Sequence, residues 1–256
     1  MDIAYVSVEE AVSRPGLRMV VVGNVPSPWS ESAKGIFRLK GIQWAAVRLS
    51  YDSRLLKEWA GERSAPVAIY NDEPPRSGWA DILQLAERLA PTPALLPHAD
   101  EAREAVMQWG RDICGEHGLG WTRRLHMIHA GLQGNGGFKP EVAAYLAKKY
   151  GYTPEAGAHA DARVGQLLKM LSERLKAQRA AGSDYLVGDS VTAADIYSAT
   201  FMALLRPLPE SVCAMENSTR RAFELRGPHS DDALDDSLLA HRAMMYERHL
   251  TLPLSL

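Results

Sequence analysis

The sequence has only two cysteines, Cys114 and Cys213, and they stand far apart. A disulfide-stapled secreted scaffold is excluded, and two isolated thiols fit a reducing compartment. An excess of one charge is missing too, since 29 basic residues face 31 acidic ones for a net charge of −2. No basic surplus therefore marks a nucleic-acid or anionic-membrane partner. No apolar run approaches the roughly 20 residues of a membrane span. The start, Met1-Asp2-Ile3-Ala4, lacks the basic head and apolar core of a signal peptide. The expectation is a soluble cytoplasmic protein that binds neither membrane nor nucleic acid. What is present is globular: 46% hydrophobic and 23% charged over 256 residues, enough for one large domain or two modest ones.

Periodicity divides the chain. Residues 1–16 read as a preamble, with Ser7-Val8-Glu9-Glu10 spaced as a capping box for a brief helix. Residues 17–22 form a near-continuous apolar run, as a strand buried on both faces requires. A helix opening at Ser30 sets Ala33, Ile36, Phe37 and Lys40 at helical spacing and closes at Gly41. Residues 44–49 read as a second strand, parallel to the first across that helix. Residues 51–63 are polar, a loop with a short helix. Residues 65–70 give a third strand with proline at its mouth, and Pro74-Pro75-Arg76 leaves room only for a very short edge strand. A helix from Trp79 carries Ile82, Leu85, Ala86 and Leu89 on one face and stops at a proline-marked linker, 90–97.

Beyond His98 no strand pattern remains. Helices are predicted over 101–109, over 121–132, and from Pro140 with Val142, Tyr145 and Leu146 facing inward. Val164, Leu167, Leu168, Leu171 and Leu175 form an apolar stripe. Further helices are expected from Thr192 and over 234–250. The predicted class is α/β plus all-α: an α/β domain over 1–97, including the extension 1–16, and an all-helical one over 98–256.

Three motifs carry chemistry or identification. The first is Ser27-Pro28-Trp29-Ser30, between strand and helix. Ser30 has the residue type of an N-cap. Ser27 lies just outside, where free backbone N–H groups converge and a hydroxyl can donate to a bound anion. Folds of the thioredoxin kind place Cys-x-x-Cys at such a turn, where the helix N-terminus favours a thiolate. Serine at both positions suggests a site that holds another molecule's thiolate. The second motif is Ala65-Pro66: a cis peptide there would turn the Ala65 backbone outward to pair with a peptide-like ligand. The third, Thr192-Ala193-Ala194-Asp195, is a capping box flanked by Val191 and Ile196 as a hydrophobic staple, and is structural.

In this order, over roughly residues 17–205, the motifs resemble the glutathione transferase superfamily. The resemblance implies a thioredoxin-like N-terminal domain that binds glutathione and a helical-bundle C-terminal domain that shapes the second-substrate pocket. It implies catalysis at the serine turn, Ser27 foremost with Ser30 beside it. It implies glutathione contacts from Trp29, Ala65, Pro66, Ser77 and Gly78, and a pocket near Trp109, Trp121, Arg123 and Arg124. Glutathione is the expected co-substrate, a small electrophile its partner and a homodimer the expected assembly, with no metal. The family shows Glu-Ser or Gln-Ser before the third helix, whereas this sequence has Arg76-Ser77. That departure supports the rival reading, a binding or scaffold protein on the same fold. A glutathione-dependent isomerase or lyase is the other alternative.

Four further features have plain readings. Gly118-Leu119-Gly120-Trp121-Thr122-Arg123-Arg124 is a helix start with arginines, which can accept an anionic substrate group only if one of them faces the cleft. His126 and His129 share a helical face without a ligating carboxylate beside them. Asp231, Asp232, Asp235 and Asp236 lack the glycine-centred calcium loop and read as a solvated loop and helix start. A cysteine-type reductase would need Cys114 to reach the site.

Overall fold

The structure is a computed structural model and describes residues 3–256, so Met1 and Asp2 of the predicted N-terminal segment lie outside it. The sheet begins inside the supposed preamble. Strand β1 (Ala4–Tyr5) is followed by helix α1 (Val8–Ser13), capped by Ser7 Oγ, which accepts the Glu10 N–H at 3.1 Å. Then come β2 (Leu17–Val21), α2 (Pro28–Leu39), β3 (Trp44–Arg48), α3 (Arg54–Ala60), β4 (Val67–Tyr70) and α4 (Trp79–Leu89). The strand order is β1-β3-β2-β4, with β2 and β3 parallel as predicted and β4 antiparallel to β2. β1 lies parallel to β3, in register Ala4 with Ala45. A two-residue strand is too short to show alternation, which is why the sequence hides it. The predicted edge strand shrinks to a single bridge between Arg76 and Ala68.

Alternation sorts the strands between two faces. Leu17, Met19, Val21, Ala46 and Ala68 join the main core under α2 and α4. Val20, Val47, Val67 and Ile69 form a smaller core with Ala11 of α1 and Leu56 of α3. Full burial of each Val, Leu or Ile is worth about 1.5–3 kcal/mol, so both faces hold the sheet. Arg18 is the exception within β2, 2% exposed. Its guanidinium stays inside because it donates to the carbonyls of Ala11, Gly16 and Asn71.

The proline linker is ordered by one buried ion pair. Lys40, at the end of α2, reaches Glu87 of α4 at 2.9 Å and the Pro93 carbonyl at 2.6 Å. Glu87 in turn accepts the N–H groups of Leu95 and Leu96. Beyond it lie α5 (Asp100–Cys114), α6 (Leu119–Leu132), α7 (Pro140–Lys149), α8 (Pro154–Ala180) and α9 (Ala193–Phe201), which runs into a single 3-10 turn. The long stripe of α8 is buried as predicted, and the main core runs unbroken through both parts of the chain. α10 (Asn217–Phe223) and α11 (Pro228–Ala233) are additions to the predicted set, and α12 (Asp236–Arg248) falls within the predicted final helix. Among the described residues no helix is long and apolar enough to cross a membrane.

Two expectations need correction. α2 starts at Pro28, with Ser27 in the N-cap position, two residues before the predicted opening at Ser30. Proline has no N–H and its φ suits the first helical position, so it sets the start. On α7 the buried residue is Ala143, while Val142 and Tyr145 are exposed. That helix meets the core through Ala143 and Leu146 and covers a cavity with Val142.

The late capping box is present and extended. Asp195 Oδ2 accepts the Thr192 N–H at 2.9 Å, and Oδ1 accepts the Leu186 N–H at 2.7 Å. His241 Nε2 of α12 lies 3.1 Å from Oδ1. One carboxylate thus ties together the start of α9, the preceding loop and the last helix.

Candidate active site

The turn after β2 delivers Ser27 as N-cap of α2 with extended backbone, φ −65° and ψ 116°. Its hydroxyl makes no capping bond, unlike most N-cap serines, whose oxygen accepts from the first turn. Instead Ser27 lines a cavity of about 480 Å³. The helix behind it has its positive end here, where anions are favoured. Ser30, one turn in, is fully buried, and its Oγ accepts the Val22 N–H at 3.4 Å; it does not line the cavity.

Opposite strand chemistry meets this turn. The Ala65–Pro66 bond is cis, and Ala65, Pro66 and Ser77 line the same cavity as Ser27. Gly78 does not line it; it is the N-cap of α4. Arg76 pairs its backbone with Ala68 and its guanidinium with Glu73 at 2.7 Å. Arg88 holds the same Glu73, and its hydrogen bond, more than that of Arg76, keeps this carboxyl below its ordinary range.

The helical part closes the cavity. Trp29 is fixed by its Nε1–H, which donates to the Cys114 carbonyl at 2.9 Å, and by edge-on packing on Phe201 at 4.9 Å. Trp121 donates to the Tyr150 carbonyl and packs edge-on against that ring at 4.7 Å. Both tryptophans line the cavity, as does Arg124; Trp109 packs against the core instead. The adjacent arginines part because successive helical residues point about 100° apart. Arg123, fully buried, donates to the carbonyls of Leu204, Phe223 and Leu225 and contacts His126 Nδ1. Burial lowers its pKa to about 10.

The sequence reading missed several walls of the cavity: Tyr51, Ser64, Phe138, Lys149, Tyr150 and Phe223. Tyr51 and Ser64 flank a segment read only as polar. Tyr51 meets Tyr145 of α7 edge-on at 5.9 Å, and Lys149 of α7 donates to Ser64 Oγ at 3.2 Å. Those contacts span 85 or more positions, so nothing local signals them. The Cys114 thiol is buried and its pKa is pushed well up by burial, and it is not among the cavity walls. A larger cleft of about 830 Å³ lies under the C-terminal tail and includes none of the predicted site residues. Among the described residues no three His, Cys, Asp or Glu side chains gather as metal ligands.

Residues 140–220 match the family model "Glutathione S-transferase, C-terminal domain". A glutathione S-transferase of Methylobacillus flagellatus KT, solved with glutathione bound, superposes with a TM-score of 0.61 at 16% identity, covering 91% of this chain and 95% of that one. The fold is that of the glutathione S-transferases. A domain-containing relative from Marinobacter aquaeolei VT8 gives a TM-score of 0.60 at 15% identity over 90% and 98% of the two chains. The enzyme of Methylobacterium radiotolerans JCM 2831, in complex with glutathione sulfonate, gives 0.55 at 18% over 85% and 94%. No curated protein matches the sequence. The glutathione S-transferase fold thus joins a thioredoxin-like sheet to a helical domain, with the serine turn at their shared cavity.

Proposed function

We propose that this chain is a glutathione transferase-like enzyme in which Ser27 activates the glutathione thiol for attack on a small electrophile. The observation that carries the reading is the uncapped Ser27 hydroxyl, opening at the start of a 12-residue helix into the cavity that also receives Ala65–Pro66. A free thiol has a pKa near 8.5, so little is ionised at neutral pH. A hydrogen bond from Ser27 and the positive end of α2 both favour the thiolate. Each unit of depression is worth about 1.4 kcal/mol and raises the thiolate fraction nearly tenfold. The Ala65 backbone, engaged in no hydrogen bond among the described residues, is available to pair with the tripeptide. Ser77 supplies a hydroxyl toward its γ-glutamyl end. Glutathione in the Methylobacillus structure supports this choice of ligand.

On this reading residues 1–97 bind glutathione, residues 98–256 shape the second pocket, and the enzyme works as a cytoplasmic homodimer. A scaffold function is the second reading, favoured by Arg76, which is held by Glu73 at the position where the resemblance implies Glu or Gln. Calorimetric titration with glutathione separates them. Saturable binding at sub-millimolar concentration, with turnover of a reactive electrophile lost in Ser27→Ala, supports the enzyme; absence of binding supports the scaffold.

A further inference from the structure

Arg124 is 7% exposed, and its Nε is buried with no hydrogen-bond partner. Its guanidinium lies between the rings of Phe138 and Phe223, 5.5 and 5.0 Å from their centres. Its neighbour Arg123 is equally buried but bonded to three carbonyls. Arg124 has no carbonyl of this kind, and its one side-chain hydrogen-bond partner is the Tyr150 phenol. The groups that favour its charge are the phenols of Tyr150 and Tyr51, and no carboxylate takes part. A buried cation without an anion is unfavourable by several kcal/mol in most settings.

A second cation shares the cavity. Lys149, on the exposed side, donates from Nζ to the Ser64 hydroxyl, and its pKa is lowered by desolvation and then by Arg124, with Glu62 opposing. Lys139, at the rim, is matched by Glu216 at 3.6 Å, and Glu141 is exposed there. Lys149 has Glu62 near it, so the buried positive charge with no carboxylate beside it is that of Arg124. Around it stand the apolar faces of Trp29, Trp121, Phe138 and Phe223.

We propose that the electrophile taken by this site is a small organic acid: an apolar, aromatic-sized body whose carboxylate or like oxyanion is held by Arg124, with Lys149 beside it. The proposal rests on the transferase reading and names its substrate class. A guanidinium offers a planar fork that matches a carboxylate. Arg124 comes from α6 of the helical part, whereas Ser27, Ala65 and Ser77 come from the sheet part. The anion site therefore belongs with the second substrate rather than with glutathione.

The test uses the full chain, with benzoate and its uncharged analogue benzamide as unreactive probes, read by tryptophan fluorescence. Wild type is expected to bind benzoate at least about tenfold more tightly than benzamide, as charge-assisted hydrogen bonds imply. Arg124→Gln should lose that preference while glutathione affinity stays within about twofold, and Arg124→Lys should keep part of it. Equal binding of the two probes by wild type overturns the proposal without needing any variant. So does a preference that survives in Arg124→Gln. A parallel loss of glutathione affinity in Arg124→Gln would assign Arg124 to glutathione and equally overturn it. Failure of wild type to bind glutathione at all is a separate result, which removes the transferase reading.

Discussion

Gly120 of α6 lies directly against Trp29 of α2: a Cβ at Gly120 would stand 3.0 Å from Trp29 Cη2 and overlap the ring of Phe201. The helical part thus approaches the serine turn as closely as backbone allows. Arg124 follows one helical turn later, where the cavity opens.

Helix propensity and packing disagree at Gly120, and packing wins. Alanine would favour an isolated helix by about 1 kcal/mol, but overpacking two fixed rings costs about 1–3 kcal/mol. Gly120→Ala is expected to lower the melting temperature and, by displacing Trp29, to reduce turnover. Thermal unfolding and steady-state kinetics check both.

The two serines of the turn should separate cleanly. Ser27→Ala removes no capping bond, so stability should stay within about 0.5 kcal/mol. Loss of a hydrogen bond to an anion should lower kcat by roughly 10- to 100-fold. Ser30→Ala removes only the 3.4 Å bond from Val22 and should leave the thiolate signal intact. Denaturant melts and kcat for each variant are the measurements.

Asp195 is the structural counterpart. Asp195→Ala would leave the Thr192 and Leu186 N–H groups and His241 without their shared acceptor in a fully buried place. The expected loss is about 3–5 kcal/mol, read from equilibrium unfolding. Aspartate has no path to the cavity, so any folded fraction should keep its glutathione affinity.

His126 gives the acid limb of stability. Burial first, then the neighbouring Arg123, lowers its folded pKa to about 4, although Asp161 opposes. The unfolded value is near 6.5. The unfolded chain therefore binds the proton first, so stability is lost as pH falls from about 6.5 towards 4 and levels below. His126→Gln should flatten this stretch of a stability–pH curve, whatever its effect at neutral pH.

The legible parts of this fold were local ones. The strand–helix–strand unit β2-α2-β3 announces itself by a change of period, and Thr192 with Asp195 fix their helix by a four-residue pattern. Pro28 also held the true start of α2, since proline favours the first helical position over a place before it. The cavity was half legible. Ser27, Trp29, Ala65, Pro66, Ser77, Trp121 and Arg124 all line it, whereas Ser30, Gly78 and Trp109 do not. Its remaining walls come in part from α7 near the loop at Tyr51 and in part from α10, and no amphipathic pattern reveals a helix that covers a hollow. Val142 looked like a core residue because an apolar face reads the same towards a core and towards a cavity, whereas Tyr145 is an exposed ring against Tyr51.

The most direct measurement is a glutathione titration at neutral pH that follows thiolate ultraviolet absorbance in wild type and Ser27→Ala. The account predicts a saturable thiolate signal in wild type that Ser27→Ala loses while still binding glutathione. Wild type without binding, or a thiolate signal unchanged in Ser27→Ala, would contradict it.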